Sequence, residues 1–360
     1  MDGNLTATML AQGGVFDVVQ AAGSGCNGFD LQRATQAGEL VAVRRGIYTT
    51  REHLDSLDAT GCHALELAAA LLARGVVLDT SPERARFVGG HRTAGLLWGL
   101  PRASPPVVGR APDGAAAPEA AAPNVARADA PNAGDARKQI RFVRRQVELI
   151  SANRSQRTYR AGVHVRPAAL PPAHLSRVCG LPVTSRARTA IDLVREGRWL
   201  DGVIVADGAL RAGVTAVELR AIADYCACWR GGRLALRVAE FADGRSESPA
   251  ESLARCVFAD LGLPPPELQV ALGDDRGFIG RVDFLFRVQR TIVEIDGREK
   301  YENPHGAHAD VVWKEKVRED RLREAGWEVV RVTWRELAHS PAEVGARIRS
   351  AFARAGRAVG

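Results

Sequence analysis

The sequence predicts a multidomain α+β protein, and three observations lead to that prediction. The chain has 360 residues, about two to three times the length of a typical domain, so each of several units can bury its own core. Helical periodicity and short β-rich runs both occur, and their order changes after residue 245. Residues 103–136 consist mainly of Ala, Pro, Gly and Asp, a composition that predicts a disordered insertion. We therefore expect domains at 1–50, 51–245 and 246–360.

The first domain has the pattern of a winged helix. Its predicted helices are Leu5–Gln12, Phe16–Ala22 and Phe29–Ala37. A hairpin follows, in which Leu40–Val43 and Ile47–Tyr48 flank a tight turn that contains Arg44 and Arg45. With the third helix in a DNA major groove, Arg44 and Arg45 would reach the phosphates. The alternative is a small docking module, which the segment's net charge of −1 favours.

The middle domain, residues 51–245, is predicted to be mostly helical. Amphipathic runs occur at Leu65–Leu72 and Thr93–Trp98, both before the insertion. Two candidate strands follow the insertion, Ile140–Val147 and Gly162–Arg166. The later helices are predicted at Arg186–Glu196, Leu200–Leu210, Ala216–Cys228 and Leu234–Phe241.

The C-terminal domain is predicted to be α/β. Ser248 followed by Pro249 and Glu251 has the form of a capping box, with proline at the first helical position, and opens a helix. A long charged helix is expected from about Asp310 to Ala325, closed by Gly326. The expected strands are Gly280–Phe286, Thr291–Asp296 and Trp327–Thr333.

The formal net charge of +7 is concentrated in one stretch of the chain. Residues 137–166 carry +8, while the first and last domains each carry −1. Clustered arginines neutralise phosphates without regard to sequence, so the pattern predicts DNA as a partner. The arginines expected to contact it are Arg141, Arg144, Arg145, Arg154, Arg157 and Arg160.

Composition also excludes several classes of protein. Six cysteines in 360 residues are too few for a disulfide scaffold, and their spacing does not fit a zinc site. The first residues do not show the positively charged segment and apolar run of a secretory signal peptide. No stretch approaches the roughly 20 apolar residues of a membrane span. We expect a cytoplasmic protein with reduced thiols and no membrane partner.

The candidate chemistry lies in two apolar strands that carry acidic residues. Asp283 stands on the first strand, and Glu294 and Asp296 share one face of the second, because side chains alternate across a strand. Carboxylates among apolar neighbours are costly to bury without a partner. Oxygen ligands suit hard divalent cations, so Asp283 and Glu294 predict an Mg²⁺ site.

These strands, the helix that bears Glu251 and the charged segment 315–331 resemble a known nuclease-like domain. The resemblance is to the very-short-patch-repair-endonuclease-like domain of unknown function, over residues 246–355. That domain belongs to the PD-(D/E)xK, or restriction-endonuclease-like, superfamily. The resemblance implies an Mg²⁺- or Mn²⁺-dependent DNA endonuclease.

Segments upstream resemble AbiEi-type antitoxin domains, which often occur fused to such nucleases. The segments are 14–17, 43–48, 91–101 and 181–192. This resemblance implies a setting in phage defence, toxin–antitoxin function or DNA repair, and it makes a cognate toxin a candidate protein partner.

The resemblance also implies roles for single residues. Asp283 corresponds to the metal-binding aspartate, Glu294 to the second acidic ligand and Glu251 to the helix-borne glutamate. Two residues after the second ligand the superfamily usually has lysine, whereas this chain has Asp296, a candidate third ligand. Catalysis would then need a lysine from elsewhere. The candidates are Lys316, then Lys300, then Lys314, three of only four lysines in the chain.

Two functions remain open at this point. The first is a DNA-binding protein with a metal-dependent endonuclease domain. The second is a non-enzymatic antitoxin or transcriptional regulator whose nuclease fold is inactive, an interpretation favoured by Asp296 in place of lysine. Glu251 is likewise explained by helix capping alone as well as by catalysis.

Overall fold

The structure is a computed structural model that describes residues 3–78, 81–101, 146–296 and 308–358, with the backbone alone at 308–312, 314 and 358. It contains three separate sheets and both short and long helices, so the prediction of a multidomain α+β protein is confirmed. None of the described helices is long and apolar enough to cross a membrane.

The first module combines three helices with a small antiparallel sheet. Its elements are α1 Gly3–Ala11, β1 Phe16–Asp17, α2 Val18–Gly23, α3 Gly28–Gln36, β2 Leu40–Arg44 and β3 Ile47–Thr50. The sheet order is β1-β3-β2, and Asp17 and Asn27 form capping boxes on α2 and α3. The three predicted helices are therefore present. Phe16 pairs with Tyr48 in the sheet instead of starting a helix, because the helix begins only after its cap at Asp17.

The next part of the chain contains helices, as predicted, together with a six-stranded mixed sheet that was not predicted as a whole. The predicted strand Gly162–Arg166 is present as Val163–Pro167, and the predicted strand Ile140–Val147 lies outside the described residues except for its last two positions. The helices are α4 Arg51–Asp55, α5 Ala59–Leu72 and α6 His91–Leu97. The strands are β4 Val88–Gly89, β5 Val147–Ser151, β6 Thr158–Arg160, β7 Val163–Pro167, β8 Leu175–Val178 and β9 Leu181–Thr184, in the order β6-β7-β5-β4-β9-β8. Each strand has at most five residues, and β4 and β5 are separated in the sequence by the predicted insertion 103–136, which lies outside the described residues, so local periodicity is a weak signal for this sheet.

Four helices follow, as predicted, and form a core that also includes Leu100 and Cys256. They are α7 Arg186–Glu196, α8 Trp199–Arg211, α9 Ala216–Tyr225 and α10 Gly232–Phe241. The turn before α10 requires glycine at position 231, where φ is +79° and a Cβ would lie 2.1 Å from the carbonyl oxygen of Arg195.

The C-terminal module places one sheet between two layers of helices. Its elements are α11 Pro249–Asp260, β10 Glu267–Asp274, β11 Gly277–Phe286, β12 Thr291–Asp296, α12 His308–Glu324, β13 Glu328–Thr333, α13 Trp334–His339 and α14 Pro341–Ala358. The sheet order is β10-β11-β12-β13, antiparallel except for the parallel pair β12 and β13. One core contains Phe258, Phe284 and Ile348, and a second contains Ile292 and Leu322 of α12. The predicted strands and long helix are present, while β10, α13 and α14 were not predicted.

Candidate functional site

Four polar side chains form a row across the C-terminal sheet. Gln269 on β10 lies opposite Asp283 on β11, because the flanking pairs are Leu268 with Phe284 and Val270 with Val282. The pairing of β11 with β12 ends one position before Asp283 and Glu294 would meet. Glu294 in turn pairs with Arg331 on β13. The row therefore crosses the sheet at the point where β11 and β12 separate.

Asp283 is a largely buried carboxylate whose hydrogen-bond partners are neutral. Its Oδ2 accepts a 2.9 Å hydrogen bond from the backbone N–H of Ile295, and its Oδ1 accepts one of 3.3 Å from the side chain of Gln269. Burial raises the pKa of Asp283, the charge of Glu251 raises it further, and the hydrogen bonds and Arg318 lower it only in part. The negative charge at Asp283 is thus incompletely compensated.

Glu251 serves both as a helix cap and as a neighbour of Asp283. It is buried, and its two carboxylate oxygens accept hydrogen bonds from the backbone N–H of Glu247 and the hydroxyl of Ser248, each at 2.8 Å. Gln269 donates to Glu251 at 2.9 Å from the same amide nitrogen that reaches Asp283. One amide group therefore links the helix cap to the acidic row.

Glu294 is held by arginines. The guanidinium of Arg318 on α12 lies 2.5 Å from Glu294 Oε1, and that of Arg331 lies 3.9 Å from Oε2. Arg318 also donates to the carbonyl oxygen of Arg281 at 3.0 Å and pairs with Glu315 at 3.1 Å. A cationic group from α12 therefore already occupies the space beside the predicted second ligand.

The remaining predicted catalytic residues are less closely tied to the row. Asp296 is half-buried at the end of β12. Lys316 is exposed on α12, and no described contact joins it to Asp283 or Glu294. Lys300 and the side chain of Lys314 lie outside the described residues. The structure thus links Asp283 to Glu251 through Gln269 and places Glu294 on the neighbouring strand, and no described contact joins a lysine to them.

The donor types in the row fit a hard divalent cation. No group of three or more His, Cys, Asp or Glu side chains in the described part of the chain is arranged to hold a metal. Mg²⁺ needs fewer, because it commonly binds through one or two carboxylates together with water and substrate phosphates. The incompletely compensated carboxylate of Asp283 fits such an ion, whereas Glu294, the predicted second ligand, is paired with Arg318 in this structure.

Sequence reasoning missed three members of this site, Gln269, Arg318 and Arg331. Gln269 becomes visible only when β10 is known to pair with β11, and its neighbours do not alternate clearly in polarity. Arg318 lies within a predicted charged helix, where it is indistinguishable from solvated neighbours. The catalytic lysine stays a prediction, and the described cation beside Glu294 is Arg318, on the helix that also carries Lys316.

The arginines predicted to contact DNA fall into three groups. Arg44 is buried, pairs with Glu66 at 2.7 Å and donates to the carbonyl oxygen of Ala161, so it cannot reach a phosphate as predicted. Arg45, in contrast, is exposed at the hairpin turn. Three more are exposed beside or on β6, namely Arg154, Arg157 and Arg160. The other three lie outside the described residues, namely Arg141, Arg144 and Arg145.

Comparison with known proteins finds relatives without an assigned function. No family model matches the chain. Two proteins of Mycobacterium tuberculosis, Uncharacterized protein Rv2248 of strain H37Rv and Uncharacterized protein MT2308 of strain CDC 1551, are each 35% identical to it over 179 residues. The match spans 49% of this chain and 64% of each relative.

Proposed function

We propose that the chain is a DNA-binding protein whose C-terminal module hydrolyses DNA phosphodiesters with Mg²⁺ or Mn²⁺. The observation that supports this function is the largely buried, incompletely compensated carboxylate of Asp283, on the strand next to that of Glu294, where the two strands separate. Perturbed carboxylates of this kind are typical of functional sites. On this proposal the module has a restriction-endonuclease-like fold, and the first module is a winged helix that presents Arg45.

The residues of the row have distinct roles in the proposed reaction. Bound Mg²⁺ would supply charge stabilisation at the phosphate and lower the pKa of a coordinated water. The N–H of Ile295 and the amide of Gln269 fix the orientation of the Asp283 carboxylate. Gln269 is in turn held by Glu251, which makes Glu251 a positioning residue.

Arg318 supplies the positive charge that lysine provides elsewhere in the superfamily. Its guanidinium already lies beside Glu294 and interacts electrostatically with Asp283. If Glu294 held the ion, this group would be free to bind a phosphate oxygen, a role for which the planar guanidinium is well suited. Arg318 therefore replaces Lys316 and Lys300 as our candidate for this role.

A plasmid nicking assay with Mg²⁺ or Mn²⁺ tests the proposal directly. Asp283→Asn keeps the shape of the side chain and removes its charge, so we expect cleavage to fall at least 100-fold. Asp260→Asn is the matched control, because Asp260 is exposed at the end of α11 in the same module. Equal cleavage by the wild type and Asp283→Asn would refute the assignment.

A second function is favoured by the ion pair between Glu294 and Arg318. If Arg318 never releases Glu294, the C-terminal module is inactive and the chain is a DNA-binding antitoxin or transcriptional regulator. The absence of any metal-stimulated nicking by the wild type, together with DNA binding that Arg45→Gln weakens, would favour this function. A cognate toxin is then the protein partner to seek, in the cytoplasm.

A further inference from the structure

A second polar site lies far along the chain from the acidic row, in a cleft of about 860 Å³ between the six-stranded sheet and α7. We refer to it as the arginine cleft. Six arginines line it, namely Arg154, Arg157, Arg166, Arg188, Arg195 and Arg230. They come from the loop before β6, from β7, from α7 and from the turn before α10. Its volume is in the range of cavities that bind small molecules.

Carboxylates hold part of the cleft wall in a fixed arrangement. Arg166 is largely buried and binds Glu148 at 2.9 Å, and its other terminal nitrogen contacts Glu196. On α7, Asp192 accepts hydrogen bonds from Arg195 and Arg188, each at 2.8 Å. These pairs anchor three of the arginines before any ligand is present.

Arg188 has an unused donor in the wall of the cleft. The side chain is fully buried, its Nε bonds Asp192, and its Nη1 lies 2.9 Å from His174 Nδ1 and donates to the carbonyl oxygen of Ala169 at 3.2 Å. Its Nη2 is buried and has no hydrogen-bond partner among the described atoms. The guanidinium also lies over the Trp229 ring, 4.8 Å from its centroid, but a ring face is a weaker acceptor than an oxygen, so the site favours an oxygen acceptor that the described residues do not supply.

The charge of the cleft is also unbalanced. Only two lining residues are acidic, Asp192 and Glu196, and both are already paired with arginine. No ion pair joins Arg154, Arg157 or Arg230 to a carboxylate in the described part of the chain. The wall therefore offers three exposed guanidinium groups around one buried, unsatisfied donor.

We propose that the arginine cleft binds a small ligand that carries two or more phosphate groups. Guanidinium groups bind phosphate oxygens through paired, charge-assisted hydrogen bonds, and several of them on one concave wall match several phosphates better than one. A concave cleft of this volume can hold a nucleotide or an inorganic polyphosphate, and both probes are small enough to contact several of its arginines at once. This site is independent of the proposed nuclease activity.

Calorimetric titration of the full chain with inorganic pyrophosphate and with deoxyadenosine triphosphate, without divalent metal, tests the proposal. Arg154→Gln with Arg157→Gln removes two exposed lining charges, and we expect at least tenfold weaker binding of both probes. Arg160→Gln is the matched control, since Arg160 is exposed at the end of β6 and does not line the cleft. We expect Arg160→Gln to bind like the wild type.

Arg188→Lys adds a test of the buried donor, because it keeps the charge and shortens the reach. We expect it to weaken pyrophosphate binding as well, with thermal unfolding as the check that the fold is retained. Undetectable binding of both probes by the wild type would overturn the proposal, as would equal losses in the double variant and Arg160→Gln. Binding of double-stranded DNA that pyrophosphate does not displace, without any binding of the small probes, would assign these arginines to a DNA track instead.

Discussion

At the scale of single residues, burial separates the arginines that pair with a carboxylate inside the fold from those that are exposed to a ligand. Arg44 and Arg188 are buried and pair with a carboxylate, whereas Arg154 and Arg157 are exposed beside a cleft. Arg318 is intermediate, with 21% of its side chain exposed. The sequence cannot distinguish these cases, because 45 of the 49 basic residues are arginine and they occur in every segment.

Arg318→Met should separate metal binding from phosphate binding at the acidic row. Loss of the guanidinium leaves Glu294 with the more distant Arg331 alone among the described cations, so we expect Mn²⁺ to bind at least threefold more tightly, measured by electron paramagnetic resonance. DNA cleavage should fall despite the tighter metal, because the charge proposed to bind the phosphate is gone. Arg323→Met on the same helix, where Arg323 pairs with Glu319, is the control. Unchanged Mn²⁺ affinity in Arg318→Met would exclude Glu294 as a ligand.

Glu196, which lines the arginine cleft, contributes to the stability of the fold in a pH-dependent way. Burial raises its pKa, but hydrogen bonds and charges from His91 and Arg166 outweigh that effect and lower the pKa to about 2. Because the folded pKa lies below the ordinary value of 4.5, the ionised group stabilises the fold above pH 4.5, and this stabilisation is lost as the pH falls toward 2.

Glu196→Gln should therefore be less stable than the wild type at pH 7 and equally stable near pH 2. A third of the side chain is exposed to solvent, so we expect a difference of about 1–2 kcal/mol at pH 7 after allowance for screening. Urea denaturation of both proteins across this range measures it, with exposed Glu240→Gln as control. A difference that persists at pH 2 would mean that Glu196 acts through packing and not through its charge.

At the scale of elements, local patterns and long-range pairings were not equally predictable. The strand Thr291–Asp296 and the helix Arg186–Glu196 match their predictions, because apolar alternation and helical spacing are local signals. The strand Glu267–Asp274 has exposed or half-buried positions along most of its length, so it lacks a clear pattern. Because this strand was not predicted, Gln269, the residue that links Glu251 to Asp283, was not identified as part of the site.

Ser248→Ala should destabilise the C-terminal module through the start of α11. Ser248 accepts a hydrogen bond from the backbone N–H of Glu251 at 3.2 Å and donates one to its carboxylate at 2.8 Å. Loss of an N-cap of this kind costs about 1 kcal/mol, and the second bond adds to that cost. Urea denaturation should show the decrease, and exposed Ser350→Ala in α14 should not. No difference between the two variants would make Ser248 dispensable as a cap.

At the scale of the whole molecule, buried ion pairs join parts of the chain that were predicted as separate domains. Arg44 of the first module binds Glu66 of α5, and Arg255 of α11 binds Asp207 of α8 at 2.8 Å. The second pair crosses the predicted boundary at residue 245, and Ser252 also donates to Asp207. The domain boundaries were predicted from local changes in the sequence. Such local changes carry no information on contacts whose two partners lie in different segments.

The concentration of charge in residues 137–166 predicts how DNA binding should depend on salt. Removing one arginine that neutralises a phosphate should reduce the slope of log binding constant against log salt concentration by about 0.9. Replacing Arg154, Arg157 and Arg160 with Gln should therefore flatten the slope by roughly 2–3 if all three touch phosphates. Fluorescence anisotropy with a labelled duplex, at several salt concentrations, measures both slopes.

The control for this experiment replaces three exposed arginines of the C-terminal module, Arg276, Arg287 and Arg323, each of which already pairs with a carboxylate. Those groups release few counterions on DNA binding, so the slope should not change. A flatter slope in the control alone would move the phosphate track to the C-terminal module. A flatter slope in the first variant alone would place the phosphate track beside β6. The arginine cleft and the DNA would then share Arg154 and Arg157, so pyrophosphate would compete with the duplex for binding.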